Sequence, residues 1–189
     1  MSIRITGGIL RNRKLAVPES AAVRPTTEKM RQAVFNLLAH ASWGIDIEGA
    51  HVLDGFCGSG IMGLECLSRG AAHVTFADFD AKVLAFLKAQ IAPLGLPASC
   101  AETLRTDLTQ AVLRPQTPYD LVFLDPPYRK DMVAPVLTRL SGEALRDGAL
   151  VLFEIEKRAM PEFDRTYYTL EDDRIYGESR LIALRSRAV

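Results

Sequence analysis

No stretch of this chain is apolar for the ~18 residues that crossing a bilayer requires. Arg4, Arg11, Arg13 and Lys14 break up any signal-peptide pattern near its start. A soluble, cytoplasmic protein with no membrane contact is therefore expected. Cysteine is scarce: Cys57, Cys66 and Cys100 have no metal-ligand spacing, and their odd number suggests no disulfide framework. They read as reduced, small, mostly buried residues. His40, His51 and His73 are scattered without a partner motif, so no metal site is expected. Low-complexity tracts are missing and 48% of the 189 residues are apolar, which excludes a disordered chain and leaves one domain with room for a small appendage.

Net charge is also absent, with 23 basic residues against 23 acidic ones. That zero conceals a division. Residues 1–31 hold seven basic side chains against Glu19 and Glu28, a net of +5, which leaves −5 on the other 158. A basic arm on an acidic body reads either as a localised phosphate-binding surface or as a solvated surface hairpin. The arm itself looks like a ribbon. Ile3–Thr6 alternates, Gly7-Gly8 turns, and Ile9–Arg11 and Lys14–Val17 resume short extended segments. Pro18 to Pro25 then reads as a connector. Met30, Val34, Leu37 and Leu38 mark one face of a helix, with Thr26 or Thr27 as its N-cap.

From Ala50 onward, strands and helices alternate. Strands are expected at Ala50–Asp54, Val74–Asp78, Ser99–Leu104, Leu121–Leu124 and Ala149–Ile155. Helices are expected after Gly60, after Asp80, briefly after Asp107 and around Met132–Leu140. Two more strands, Thr166–Leu170 and Arg180–Arg185, have no helix between them and read as an antiparallel closing hairpin. Such alternation implies an α/β fold with a mainly parallel sheet covered on both faces.

The sharpest feature is Asp125-Pro126-Pro127-Tyr128, directly after an apolar strand. Neither proline continues a ladder, so the strand stops in a stiff corner at its carboxyl end, where open α/β sheets place ligands. An exocyclic nucleobase amine is a poor nucleophile because its lone pair is delocalised. The Asp125 carboxylate and Pro126 carbonyl suit the two N–H groups of such an amine, aiming its nitrogen at an electrophilic methyl group. Tyr128 offers a stacking face. The plain alternative is a turn after a strand.

Gly58-Ser59-Gly60-Ile61-Met62-Gly63 matches the G-x-G-x-x-G dinucleotide fingerprint, and Asp78 follows Gly58 by 20 residues, where that fingerprint wants a ribose-binding acid. A nicotinamide dehydrogenase is thus a rival. Against it, Asp54 sets a carboxylate beside the glycine turn, where a pyrophosphate is repelled and an amino group is welcome. No catalytic His, Lys or Tyr-x-x-x-Lys pattern follows.

The corner resembles the D-P-P-Y signature of amino-group methyltransferases, and Asp54-x-x-x-Gly58-x-Gly60 is similar to the opening of S-adenosylmethionine enzymes. With Ile3-Arg4-Ile5-x-Gly7-Gly8, Arg13-Lys14-Leu15, Arg24-Pro25-Thr26-Thr27, Phe35-Asn36 and Gly63-x-Glu65, the chain resembles the bacterial 16S ribosomal RNA guanine-N2 methyltransferases of the RsmD type. It departs from them at Gln32, where they usually carry Glu, and at Asp78, often Glu.

The resemblance implies a Rossmann-like class I methyltransferase fold. Residues 1–24 become a basic RNA-binding arm, and residues 25–189 a catalytic domain with a seven-stranded sheet. It implies catalysis by Asp125, Pro126, Pro127 and Tyr128. The cofactor, S-adenosylmethionine without metal, falls to Asp54, Gly58, Ser59, Gly60, Asp78, Asp107, Arg24 and Thr26. Asp78 would bond the ribose hydroxyls and Asp107 the adenine amine. Arg4, Arg11, Arg13 and Lys14 would grip phosphates of 16S RNA or the small ribosomal subunit. Arg129 and Lys130, directly after the corner, suit either phosphates or the solvated start of a helix. A monomer is expected. DNA adenine-N6 methylation and a catalytically silent RNA-binding assembly factor remain the alternatives.

Overall fold

The computed structural model describes residues 2–16, 28–126, 132–159 and 162–187. The Pro18–Pro25 connector, the helix cap at Thr26 or Thr27 and the residues 127–131 after the corner lie outside these. Strands β1 (Ser2–Arg4) and β2 (Lys14–Ala16) pair antiparallel, with Ile3 opposite Leu15. The residues between them differ from expectation. Ile9–Arg11 is a run of turns, and Gly7-Gly8 does more than reverse the chain. A Cβ on Gly8, at φ +74°, would stand 1.7 Å from the Ser68 carbonyl oxygen. Only glycine lets the arm sit this close to the body.

Helix α1 (Glu28–His40) buries Met30, Arg31, Val34, Phe35 and Leu38, a stripe at helical spacing with Glu28 in its first turn. Strand β3 (His51–Gly55) leads through the glycine loop to α2 (Ile61–Ser68), and β4 (His73–Asp78) leads to α3 (Ala81–Ile91). Asp80 caps α3 as expected, its carboxylate accepting the Lys82 N–H at 2.8 Å. Strand β5 (Ala101–Arg105) follows. The short helix expected after Asp107 is instead a turn over 108–110, because Asp107 draws its own chain back through hydrogen bonds from Thr109. Strand β6 (Tyr119–Leu124), α4 (Val133–Leu140), β7 (Leu145–Glu156), β8 (Tyr168–Tyr176) and β9 (Ser179–Ser186) complete the order.

The main sheet runs β5-β4-β3-β6-β7-β9-β8. The first five strands are parallel, and β9 pairs antiparallel with both β7 and β8. This is the Rossmann-like arrangement, closed by the antiparallel hairpin. Winding reverses at β3, which has β4 on one side and β6 on the other, so a crevice opens between the carboxyl ends of β3 and β6. Each sheet face has its own apolar core. One joins α1, α2, α3 and the arm's Ile3, Ile5, Leu10 and Leu15 to Val52, Phe76, Phe123 and Leu152. The other joins α4 to Leu53, Val122, Leu124 and Phe153. The alternation Leu152 to one face, Phe153 to the other is strand parity, and it decides where the next residue points.

Candidate active site

The glycine loop is held from below by the acids that end two strands. Asp54 is 4% exposed, and one of its carboxylate oxygens accepts the Gly63 N–H at 2.9 Å. Asp78 accepts the Gly58 N–H at 3.2 Å through one oxygen and the Asp80 N–H at 3.0 Å through the other. Gly58 and Gly60 take φ +50° and +69°, and the loop tightens through the Gly60 N–H on the Cys57 carbonyl at 2.7 Å. Gly63 serves packing: a Cβ there would lie 2.4 Å from a Phe76 ring carbon, so α2 rests directly on β4. Gly63 is also the third residue of α2, and its N–H is one of those a pyrophosphate would seek. Asp54 already holds it, which removes that donor from any anion. The dinucleotide reading loses its anion site.

Burial, helped by Asp125 and Asp78 and opposed by the Gly63 bond, pushes the Asp54 carboxyl up to about 8. Three carboxylates thus converge at the crevice. Such a place suits a ligand that brings positive charge.

Asp125 follows β6 directly and is half-buried. Its backbone N–H reaches the Gly55 carbonyl at 3.4 Å, which ties the β6 terminus to that of β3. Pro126 is buried. Pro127, Tyr128, Arg129 and Lys130 lie outside the described residues, as do Arg24 and Thr26. Ser59 is half-buried in the loop. Asp107 is exposed one residue beyond Thr106, and bonds from the Thr109 hydroxyl and N–H hold its carboxyl below the usual range.

Beside Asp54 and Asp125 an open cleft lies against the sheet. Met30 and Val34 of α1 border it on one side; Phe123, Leu152 and Leu181 of β6, β7 and β9 border it on the other. Glu154 lines it as well. Its walls are mostly carbon with carboxylates at one end, the pattern of a site for a flat ring with polar edges. In the sequence Met30 and Val34 mark only one face of a helix. Their role in the cleft shows only when α1 is laid across the carboxyl ends of the strands.

Arg4, Arg11, Arg13 and Lys14 are all exposed on the arm. The arm itself is anchored. Glu65 accepts the Thr6 N–H at 2.7 Å and the Thr6 hydroxyl at 2.9 Å; the Leu10 N–H reaches the Ser68 hydroxyl at 2.9 Å; Arg31 donates to the Arg4 carbonyl at 2.9 Å. Glu65, in the sequence only part of the glycine-loop motif, and Arg31 of α1 form the anchor. The three cysteines are buried and free, as expected. His51 and His73, read as scattered, stack with ring centroids 5.9 Å apart, but at the amino ends of β3 and β4, the edge opposite the crevice.

Residues 3–185 match a family model described as conserved hypothetical protein 95. The chain is 39% identical over 155 residues to ribosomal RNA small subunit methyltransferase D of Escherichia coli, covering 82% of this chain and 75% of that one. It is 35% identical over 158 residues to the protein of the same name from Haemophilus influenzae, covering 82% and 79%. A solved Escherichia coli structure, described as a candidate methyltransferase, superimposes over 100% of both chains with a TM-score of 0.84 and 33% identity.

Proposed function

Because this chain belongs to the conserved hypothetical protein 95 family, that of the ribosomal RNA small subunit methyltransferases D, we propose that it methylates the exocyclic N2 amine of one guanine in 16S ribosomal RNA. The observation that carries the reading is the convergence of Asp54, Asp78 and Asp125 at the crevice, beside a mostly apolar cleft.

S-adenosylmethionine supplies the methyl group on a sulfonium, already a good leaving group, and its positive charges fit the three carboxylates. Asp54 and Asp78 would hold it together with Gly58, Ser59 and Gly60, with Asp107, Arg24 and Thr26 assigned to it by the family resemblance. The guanine swings out of its RNA at a cost of a few kcal/mol. Stacking on Tyr128 offsets this by roughly 1–3 kcal/mol. Asp125 and the Pro126 carbonyl each accept one N–H of the amine, with Pro127 stiffening the corner. Held this way, the amine would present its nitrogen lone pair toward the methyl carbon that the bound cofactor would supply. The amine proton leaves afterwards to Asp125 or water.

Arg4, Arg11, Arg13 and Lys14 grip RNA phosphates, joined by Arg129 and Lys130. Residues 1–24 act as the RNA arm and 25–189 as the catalytic domain of a cytoplasmic monomer.

The test supplies methyl-labelled S-adenosylmethionine with unmodified small subunits, naked 16S RNA and duplex DNA, followed by nucleoside analysis. Label in N2-methylguanosine is expected. Label in N6-methyladenine from DNA overturns the substrate. Cofactor binding without any label favours an assembly factor.

A further inference from the structure

We propose that Glu154 makes the site select guanine over other bases, an inference that rests on the reading above. Strand register carries it. Leu124 of β6 pairs with Phe153 of β7, so the next residues, Asp125 and Glu154, stand side by side at the carboxyl ends of adjacent strands. Neighbouring strands are about 4.8 Å apart. Parity sends both to one face: Phe123 and Leu152, two residues earlier, belong to the core under α1, and both acids line the cleft there. Leu181, the β9 partner of Glu154, closes the cleft beyond it with carbon.

The two carboxylates therefore present a row of acceptors on one wall of an apolar slot. A carboxylate at neutral pH accepts and does not donate. The Watson–Crick edge of guanine is a matching row: the N2 amine carries two N–H groups and the adjacent N1 carries a third. With the amine at Asp125, N1–H falls toward Glu154. Adenine bears an unprotonated N1 next to its amine. Its lone pair would face the Glu154 carboxylate, acceptor against acceptor. Buried sites built around a hydrogen bond reject analogues lacking it far more strongly than a missing methyl group is rejected. Glu154 is a specificity residue here and takes no part in bond making.

Target RNA carrying either guanine or 2-aminopurine at the modified position tests this. 2-Aminopurine keeps the 2-amine but has an unprotonated N1. Wild-type enzyme should methylate guanine at least roughly tenfold more efficiently in kcat/KM. Glu154→Gln places an amide N–H opposite N1 and should collapse that preference, lowering guanine methylation while raising 2-aminopurine methylation. Glu154→Ala, which neither donates nor accepts, should lower guanine methylation alone. Equal losses on both bases in both variants would assign Glu154 a purely structural role and overturn the inference, as would an unchanged preference. A wild-type enzyme that modifies no guanine overturns the functional reading first, and this one with it.

Discussion

Arg31 on α1 and Glu65 on α2 face each other 3.7 Å apart, their side chains 2% and 0% exposed. Glu65 is the hub. It also receives Thr6 of the arm and Arg69 one turn further along α2. Arg69 in turn lies 4.2 Å over the Phe35 ring of α1. One buried carboxylate therefore fastens the arm, the helix bordering the cleft and the helix of the glycine loop to one another.

Removing it should be costly. Glu65→Ala removes the carboxylate that buried Arg31 faces most closely and should destabilise the fold by about 3–5 kcal/mol. Urea denaturation measures the loss, and limited proteolysis should cut first within the released arm. A midpoint close to wild type would show the hub to be dispensable.

Asp125→Asn keeps the shape of the corner but weakens its hold on the amine. Turnover should fall at least roughly a hundredfold. Cofactor affinity by calorimetry should fall far less than turnover, since Asp54 and Asp78 still brace the glycine loop. Retained turnover would place the amine-holding group elsewhere.

Asp54 gives the apo protein a pH dependence with a definite sign. Its carboxyl titrates near 3.8 when unfolded and is pushed up to about 8 by burial in the fold. The folded state thus binds the proton more tightly, and its stabilising effect, complete below about pH 4, is lost as pH rises through 8. Melting temperature should decline across that window. In Asp54→Asn the decline should flatten, while cofactor affinity falls because a carboxylate facing a cationic ligand has gone. A parallel decline in both proteins would assign the slope to other groups.

The arm should behave as a phosphate grip fixed in place. Replacing Arg11, Arg13 and Lys14 by Gln should weaken RNA binding and reduce the magnitude of its log–log salt slope by roughly 2–3. Gly8→Ala, which sets a methyl against the Ser68 carbonyl, should weaken binding by unseating the arm while leaving the salt slope of the remaining contact nearly intact. Filter binding across a salt series separates the two.

Most of the sheet was legible because buried parallel strands read as short, mostly apolar runs, and Val52–Leu53, Val74–Ala77 and Leu121–Leu124 are such runs ended by acids. Asp80 was legible as a cap because capping is local chemistry. What escaped was everything set by contacts distant in sequence. Gly8 looks like a turn residue until Ser68, 60 positions away, is brought against it. Ile9–Arg11 has strand composition, yet its Ile9 and Leu10 N–H groups go to Ser68 in place of a ladder partner. Met30 and Val34 share the apolar spacing of core residues, and only the crossing of α1 over the strand ends makes them a wall of the cleft. The pairing of Asp125 with Glu154 needs the register between β6 and β7, which no local pattern encodes.

Helix α2 starts at the glycine loop and ends where the arm is seated, eight residues and about 12 Å along its axis. It works as a gauge block. Both ends are gripped by side-chain hydrogen bonds, Asp54 to the Gly63 N–H at one and Ser68 to the Leu10 N–H at the other. The span between what the arm holds and what the loop holds is therefore a constant of the molecule. One residue added inside α2 would rotate the Ser68 end by about 100° and shift it about 1.5 Å, spoiling the calibration while leaving each end chemically intact.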